Sequence, residues 1–155
     1  MSDLFTPLEV AAWGGFVAAQ SRMFRQIEAD LQANFGLSHP EFEVLLRIFL
    51  HPDGRVRIQE LAARSLLSTS GTSRAVNRLV QAGHLRREIA AEDGRGAYAR
   101  FTTTGRAHFQ AAAIAHVALV RRSFLDPLSA DEQRQLAALW PRLGQPDPPG
   151  EAPKE

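Results

Sequence analysis

Apolar residues recur with a helical period at Leu8, Ala12, Phe16, Ala19, Met23, Ile27 and Leu31. This predicts one long helix from Thr6 to Asn34. Thr6 can cap it, Pro7 sits where a missing N–H costs nothing, and Glu9 closes a capping box. A long helix with a continuous apolar stripe packs against another chain or a second long helix. Ser38-His39-Pro40-Glu41 starts a second helix carrying Phe42, Leu45, Leu46 and Phe49, which stops at the turn signal Pro52-Asp53-Gly54. Arg55-Val56-Arg57 reads as a short strand. Gln59 to Ser65 reads as a short helix with Leu61 and Ala62 inward, and Ser68-Thr69-Ser70 opens another helix that Gly83 ends.

From Leu85 to Phe101 the period changes. Two extended segments flank Glu92-Asp93-Gly94-Arg95-Gly96, the pattern of a β-hairpin. Thr102 to Gly105 leads into a second long helix striped by Phe109, Ala113, Val117, Val120 and Phe124 and broken at Asp126-Pro127. Ser129 to Glu132 forms a third capping box, followed by Leu136, Leu139, Trp140 and Leu143. Residues 144–155 hold four of the nine prolines and are expected to be a disordered tail. The expected fold is mainly α with a small β-hairpin wing. Helical regions at 6–35 and 103–143 are expected to dimerise, and a central lobe at 36–102 to bind.

Composition narrows the classes. The 155 residues suit one domain, and 45% hydrophobic with 23% charged residues suits a packed core. Absence of cysteine removes disulfides, thiolate metal sites and thiol redox sensing. The longest apolar stretch, Ala113 to Val120, is interrupted by His116 and too short to span a bilayer. The first residues carry no secretory pattern, so a cytoplasmic location without membrane association is the expectation.

The net charge of +1 says little about partners, but its distribution says more. Residues 36–102 hold ten Arg against seven acids, and residues 61–87 hold Arg64, Arg74, Arg78, Arg86 and Arg87 with no acid. A one-signed local field suits a phosphate-facing surface, although a solvated face with chance clustering would look the same.

The helix over 69–82 divides its faces cleanly. Val76, Leu79 and Val80 form the apolar set. Ser70, Ser73, Arg74, Asn77, Arg78 and Gln81 form a polar stripe without an acid. Arg can grip guanine O6 and N7, and Asn or Gln can grip adenine N6 and N7, so the stripe has the side chains that read a major groove. Ser68 caps a helix start that would suit a phosphate. The bland alternative is an amphipathic surface helix, but those ordinarily mix Glu with Lys or Arg. The preceding short helix and tight turn complete a helix-turn-helix. At the hairpin tip, Arg95 between two glycines either enters a minor groove or is simply solvated.

Other chemistry is not supported. His108 and His116 share a helix face but lie eight residues apart, or ~12 Å at the α-helical rise, too far to share one ion. Neither a metal nor a cofactor is expected. There is no nucleophile elbow, phosphate-cradling glycine loop or His-x-x-x-His pair, so an enzyme is not expected.

Taken together, Glu60-Leu61-Ala62, the run from Leu66 to Arg87, Asp93-Gly94-Arg95-Gly96 and Phe101-Thr102-Thr103-Thr104-Gly105 resemble the MarR family of bacterial regulators. The resemblance covers roughly residues 6–143. Ser73-Arg74, Asn77-Arg78-Leu79, Gly83 and Arg87 look like its recognition helix and following strand. Asp93-x-Arg95 looks like its wing motif, and Phe101-Thr102-x-x-Gly105 like its Leu-Thr-x-x-Gly helix start. Asn77 stands where the family often has Asp, Phe101 replaces Leu, and His84 replaces a larger apolar residue.

The resemblance implies a winged helix-turn-helix homodimer, built on the terminal helices, that binds a pseudo-palindromic duplex and regulates transcription, here expected as a repressor. Arg74, Asn77 and Arg78 would contact bases or phosphates, Arg95 would enter the minor groove, and Asp93 would orient it. The resemblance also implies a small, often aromatic or anionic, effector bound between the dimer helices and the DNA lobe and able to release the DNA, which points to Trp13, Phe16, His39, Phe42 and Arg47 on the first two helices. Core packing is the competing account of these aromatics. An architectural winged-helix protein without a ligand response is the alternative function.

Overall fold

The computed structural model describes residues 4–64, 68–89 and 96–143. Helix α1 spans Pro7–Phe35. The Glu9 carboxylate accepts from the Thr6 amide at 2.7 Å, while Thr6 Oγ1 accepts from the Glu9 amide at 3.3 Å. Gly36 ends the helix at φ 62°, a left-handed conformation that glycine adopts without a Cβ penalty. Helix α2 spans His39–Leu50, and the Glu41 carboxylate accepts from both the amide and the hydroxyl of Ser38. Strand β1 is Arg55–Arg57, α3 is Ile58–Arg64 and α4 is Thr69–Gln81. Strands β2 (Leu85–Ile89) and β3 (Ala97–Phe101) follow, then α5 at Thr103–Val120 and α6 at Ala130–Leu139.

One expectation is corrected here. The second long helix does not run on to Phe124 as α-helix. A π turn occupies Arg121–Leu125, where the Asp126 amide reaches back five residues to the Arg121 carbonyl at 2.8 Å. Pro127 cannot continue the ladder, so the helix ends by widening. The Gln133 side chain donates to the carbonyls of Leu125 and Leu128, clasping α6 onto that turn.

The three strands form an antiparallel sheet in the order β1-β3-β2. Its inner face contributes Val56, Leu85, Ala99 and Phe101 to the core. Phe109 of α5 is the hub. Its ring meets Phe42 at 5.4 Å, Phe49 at 5.1 Å and Phe101 at 5.6 Å, joining α2, the sheet and α5. Burying aromatic rings of this size is a dominant share of a small domain's core energy.

Helix α1 joins this core only through its C-terminal half, where Ile27 and Leu31 are buried and pack towards α5. Every residue from Leu4 to Ala18 is exposed in the single chain. Among them Leu8 is 79% and Trp13 62% exposed, and on α5 Ile114 is 73% exposed. Among the described residues no helix is long and apolar enough to cross a membrane.

Candidate nucleic-acid interface

Helix α4 forms where the sequence pattern places it. Ser68 Oγ accepts from the Gly71 amide at 3.2 Å and shares a hydrogen bond with Ser70 Oγ at 3.2 Å. Thr72, Ala75, Val76 and Leu79 are buried against the core, and Ser70, Arg74, Asn77, Arg78 and Gln81 are exposed, with Ser73 half-buried between them. No acid lies on the helix.

The exposed side chains fall into two kinds. Arg74 is exposed and makes no hydrogen bond or ion pair among the described residues. Arg78 and Asn77 are instead tied down. Arg78 Nε donates to Glu41 Oε1 at 2.7 Å, while 59% of the Arg78 side chain stays exposed. Asn77 Oδ1 accepts from the Arg87 guanidinium at 2.5 Å. The amide therefore meets the strand arginine that an acid at this position would pair with.

Burial pulls the Glu41 carboxyl pKa up. The hydrogen bonds from Ser38 and the hydrogen bond and charge of Arg78 outweigh it, so Glu41 titrates below the usual carboxylate value. The carboxylate that anchors Arg78 is thus ionised at neutral pH.

Sequence reasoning left Arg87 out of the site. Strand register supplies the missing signal. Arg87 faces Ala99, a core-facing residue, so its side chain leaves β2 on the side where α4 packs. Arg86, its neighbour, leaves on the opposite face. Asp93 and Arg95, the expected wing-tip pair, lie outside the described residues.

The end of α4 is fixed by a joint built on Thr102. Its hydroxyl donates to the Gly83 carbonyl at 2.6 Å and accepts from the Gly105 amide at 2.9 Å. The Thr102 amide donates to the His84 carbonyl at 3.1 Å. Gly105 lies so close to His84 that a Cβ there would overlap the His84 carbonyl oxygen. The start of α5 is therefore locked to the turn that ends α4.

This is a winged helix with a cationic, acid-free helix on its surface. Residues 35–96 match the sequence profile of the MarR family. YkoM of Bacillus subtilis (strain 168), an uncharacterised HTH-type transcriptional regulator, is 31% identical over 109 residues, covering 70% of this chain and 69% of that protein. The chain belongs to the MarR family of transcriptional regulators.

Solved MarR structures agree with the fold. AbsC, a MarR family transcriptional regulator from Streptomyces coelicolor, is 33% identical with a TM-score of 0.81, covering 90% of this chain and 94% of that one. Sco3205, a MarR family transcriptional regulator from the same organism crystallised in complex with DNA, is 29% identical with a TM-score of 0.83, covering 90% of this chain and 87% of that one. MarR membership makes the chain a transcriptional regulator, a class without catalytic machinery.

The residues expected to hold an effector divide into two groups. Trp13 and Phe16 pair with each other at 5.8 Å on the exposed half of α1. Phe42 is buried in the core and meets the His116 ring of α5 at 4.8 Å. The His39 ring lies tilted against Phe24 at 5.1 Å, and Arg47 holds Glu43 at 3.6 Å. Among the described residues, Arg47 Nε and His116 Nδ1 are buried without a hydrogen-bond partner. Burial first, then the charge of nearby His39, lowers the His116 pKa, against the pull of Asp30 and Glu43. His116 was absent from the expected site because only tertiary packing of α5 on α2 brings it to Phe42. Among the described residues no cluster of three or more His, Cys, Asp or Glu side chains is placed to hold a metal.

Proposed function

We propose that this chain is a sequence-specific duplex-DNA-binding repressor that works in the cytoplasm as a homodimer on a pseudo-palindromic operator. The observation that carries the reading is the outer face of α4: Ser70, Ser73, Arg74, Asn77, Arg78 and Gln81 without an acid, held in a fixed aspect by Glu41 and Arg87. Arg74 is the free base-reading arginine of this face. Arg78 lends the exposed part of its fork to a phosphate or base while its Nε holds Glu41. Ser68 and Ser70 line the helix start for a phosphate, and Gln81 extends the face towards its end. Arg95 serves as the minor-groove finger, oriented by Asp93. That the related Sco3205 was crystallised with DNA supports this use of the fold.

Residues 6–35 and 103–143 form the dimerisation region, and residues 36–102 the DNA-binding lobe. The exposed Leu8, Trp13, Phe16 and Val17 of α1 and Ile114 and Val117 of α5 support this, because among the described residues of the single chain they have no covering partner. Release by a small aromatic or anionic effector is the regulatory half of the proposal. It is supported by two buried nitrogens without a hydrogen-bond partner among the described residues: Nδ1 of His116, whose ring meets Phe42, and Nε of Arg47, on the same helix as Phe42 and His39. Trp13 and Phe16 lie together on α1 and would border the crevice.

Fluorescence anisotropy on a bound duplex tests the DNA face. Arg74→Ala and Arg95→Ala are each expected to weaken binding by roughly 1–3 kcal/mol if they touch bases. Wild-type affinity in both would remove the assignment.

A further inference from the structure

The outer face of the sheet carries a row of arginines that the recognition helix does not use. Strand register sets Arg55 of β1 opposite Arg100 of β3, and Arg100 opposite Arg86 of β2. Three guanidinium side chains therefore stand abreast on one face. Like charges directly opposite on neighbouring strands destabilise a sheet, so such a row needs compensation. Among the described residues the compensation is partial. One carboxylate, Glu88, is shared between Arg86 at 3.0 Å and Arg100 at 3.6 Å, and Arg55 lies over the Tyr98 ring at 4.4 Å.

Beside this row the chain forms a cleft of about 680 Å³, walled by the turn after α2, the sheet and the first turn of α5. Arg86, Arg100 and Arg106 line it with Thr103 and Gln110, and among the described residues Asp53 is the single acid in the lining. Arg106 comes from α5 and holds its guanidinium over the Phe49 ring at 5.1 Å. The first turn of α5 contains no acidic residue. The volume is that of a small-molecule site. The donors are planar guanidinium forks and a hydroxyl, which match the oxygens of a phosphate group.

The cleft is separate from the DNA-reading face. Arg87 leaves β2 towards Asn77 of α4, so Arg86, one residue earlier, leaves on the other side. We propose that this cleft is an anion site for a small phosphate-bearing molecule, held by Arg86, Arg100 and Arg106. Concavity and charge favour that occupant over the convex backbone of a duplex.

The test is calorimetric titration of the full chain with inorganic pyrophosphate at constant ionic strength, alone and with saturating bound duplex. The expected result is one pyrophosphate per chain, unchanged by duplex. Arg100→Gln and Arg106→Gln should each weaken it at least tenfold, while Arg74→Ala leaves it intact. Circular dichroism confirms that the exposed arginine variants remain folded. Absence of saturable binding overturns the proposal. So does binding that duplex abolishes, because the anion would then occupy a DNA phosphate position. Weakening by Arg74→Ala instead of the cleft variants would place the ion on α4 and overturn the proposal as well.

Discussion

Arg78 on α4 and Glu41 on α2 are 37 residues apart in the chain and meet at 2.7 Å. Glu41 simultaneously accepts from the amide and hydroxyl of Ser38, so one carboxylate both starts α2 and holds α4 against it. The orientation of the face proposed to read DNA is thereby tied to the first turn of α2.

This separates two arginines of the same helix face. Arg78→Ala should lower stability by about 1 kcal/mol, a modest figure because the arginine is more than half exposed. It should also weaken duplex binding. Arg74→Ala should weaken duplex binding with an unchanged urea midpoint. Equal midpoints for the two variants would contradict the tie between α4 and α2.

The joint between α4 and α5 should be the least tolerant part of the lobe. In Gly105→Ala the new Cβ meets a backbone carbonyl, which no rotamer change relieves. A loss of more than about 2 kcal/mol is expected, in the range of severe overpacking. Thr102→Val removes the α5 cap and leaves the Gly83 carbonyl without its hydroxyl donor, at a cost of about 1–2 kcal/mol. Chemical denaturation of both variants checks this. A wild-type midpoint for Gly105→Ala would mean that the two backbones do not pack this closely.

The elements were legible in the sequence where local chemistry decides them. Thr6 with Glu9 and Ser38 with Glu41 mark helix starts, Gly36 and Gly83 mark ends, and the acid-free stripe of α4 marks its outer face. Relations between elements were not legible. The Thr102-x-x-Gly105 pattern could be read as a helix start, but its contact with Gly83 and His84 arises only when α5 returns to the end of α4. Arg78 reads as a DNA contact, and nothing local reveals its bond to Glu41. Arg86 and Arg87 look alike in sequence, yet strand alternation sends one to the outer cleft and the other to Asn77.

Acidification should destabilise the fold through two histidines. His84 stacks on His108 with ring centres 4.4 Å apart; burial first, and then the His108 charge, lowers its pKa, with Glu41 opposing. His116 is lowered by burial and by His39. The folded chain thus binds these protons less readily than the unfolded chain, so stability falls as pH drops below the ordinary histidine value near about 6.5. Glu41, with its lowered pKa, loses its contribution only at more acidic pH. The urea midpoint should be lower at pH 5.5 than at pH 7.5, and His84→Phe should reduce the difference. A midpoint that rises on acidification would contradict this assignment.

The apolar face of α1 should make dimerisation separable from folding. Trp13→Arg places a charge on a face that is exposed in the single chain, so the lobe should keep its circular dichroism spectrum. Sedimentation equilibrium should show a dimer for the wild-type chain and a weakened one for the variant. A monomeric wild-type chain at micromolar concentration would remove the proposed role of this region.

The central claim is that two α4 helices of a dimer read one operator. Selection from a randomised duplex library at near-physiological salt, with the bound sites sequenced, tests it most directly. The account predicts an enriched inverted repeat whose half-sites lie about one helical turn apart, ~10 bp centre to centre. Retention of duplexes with no enriched sequence, governed by salt alone, would contradict it.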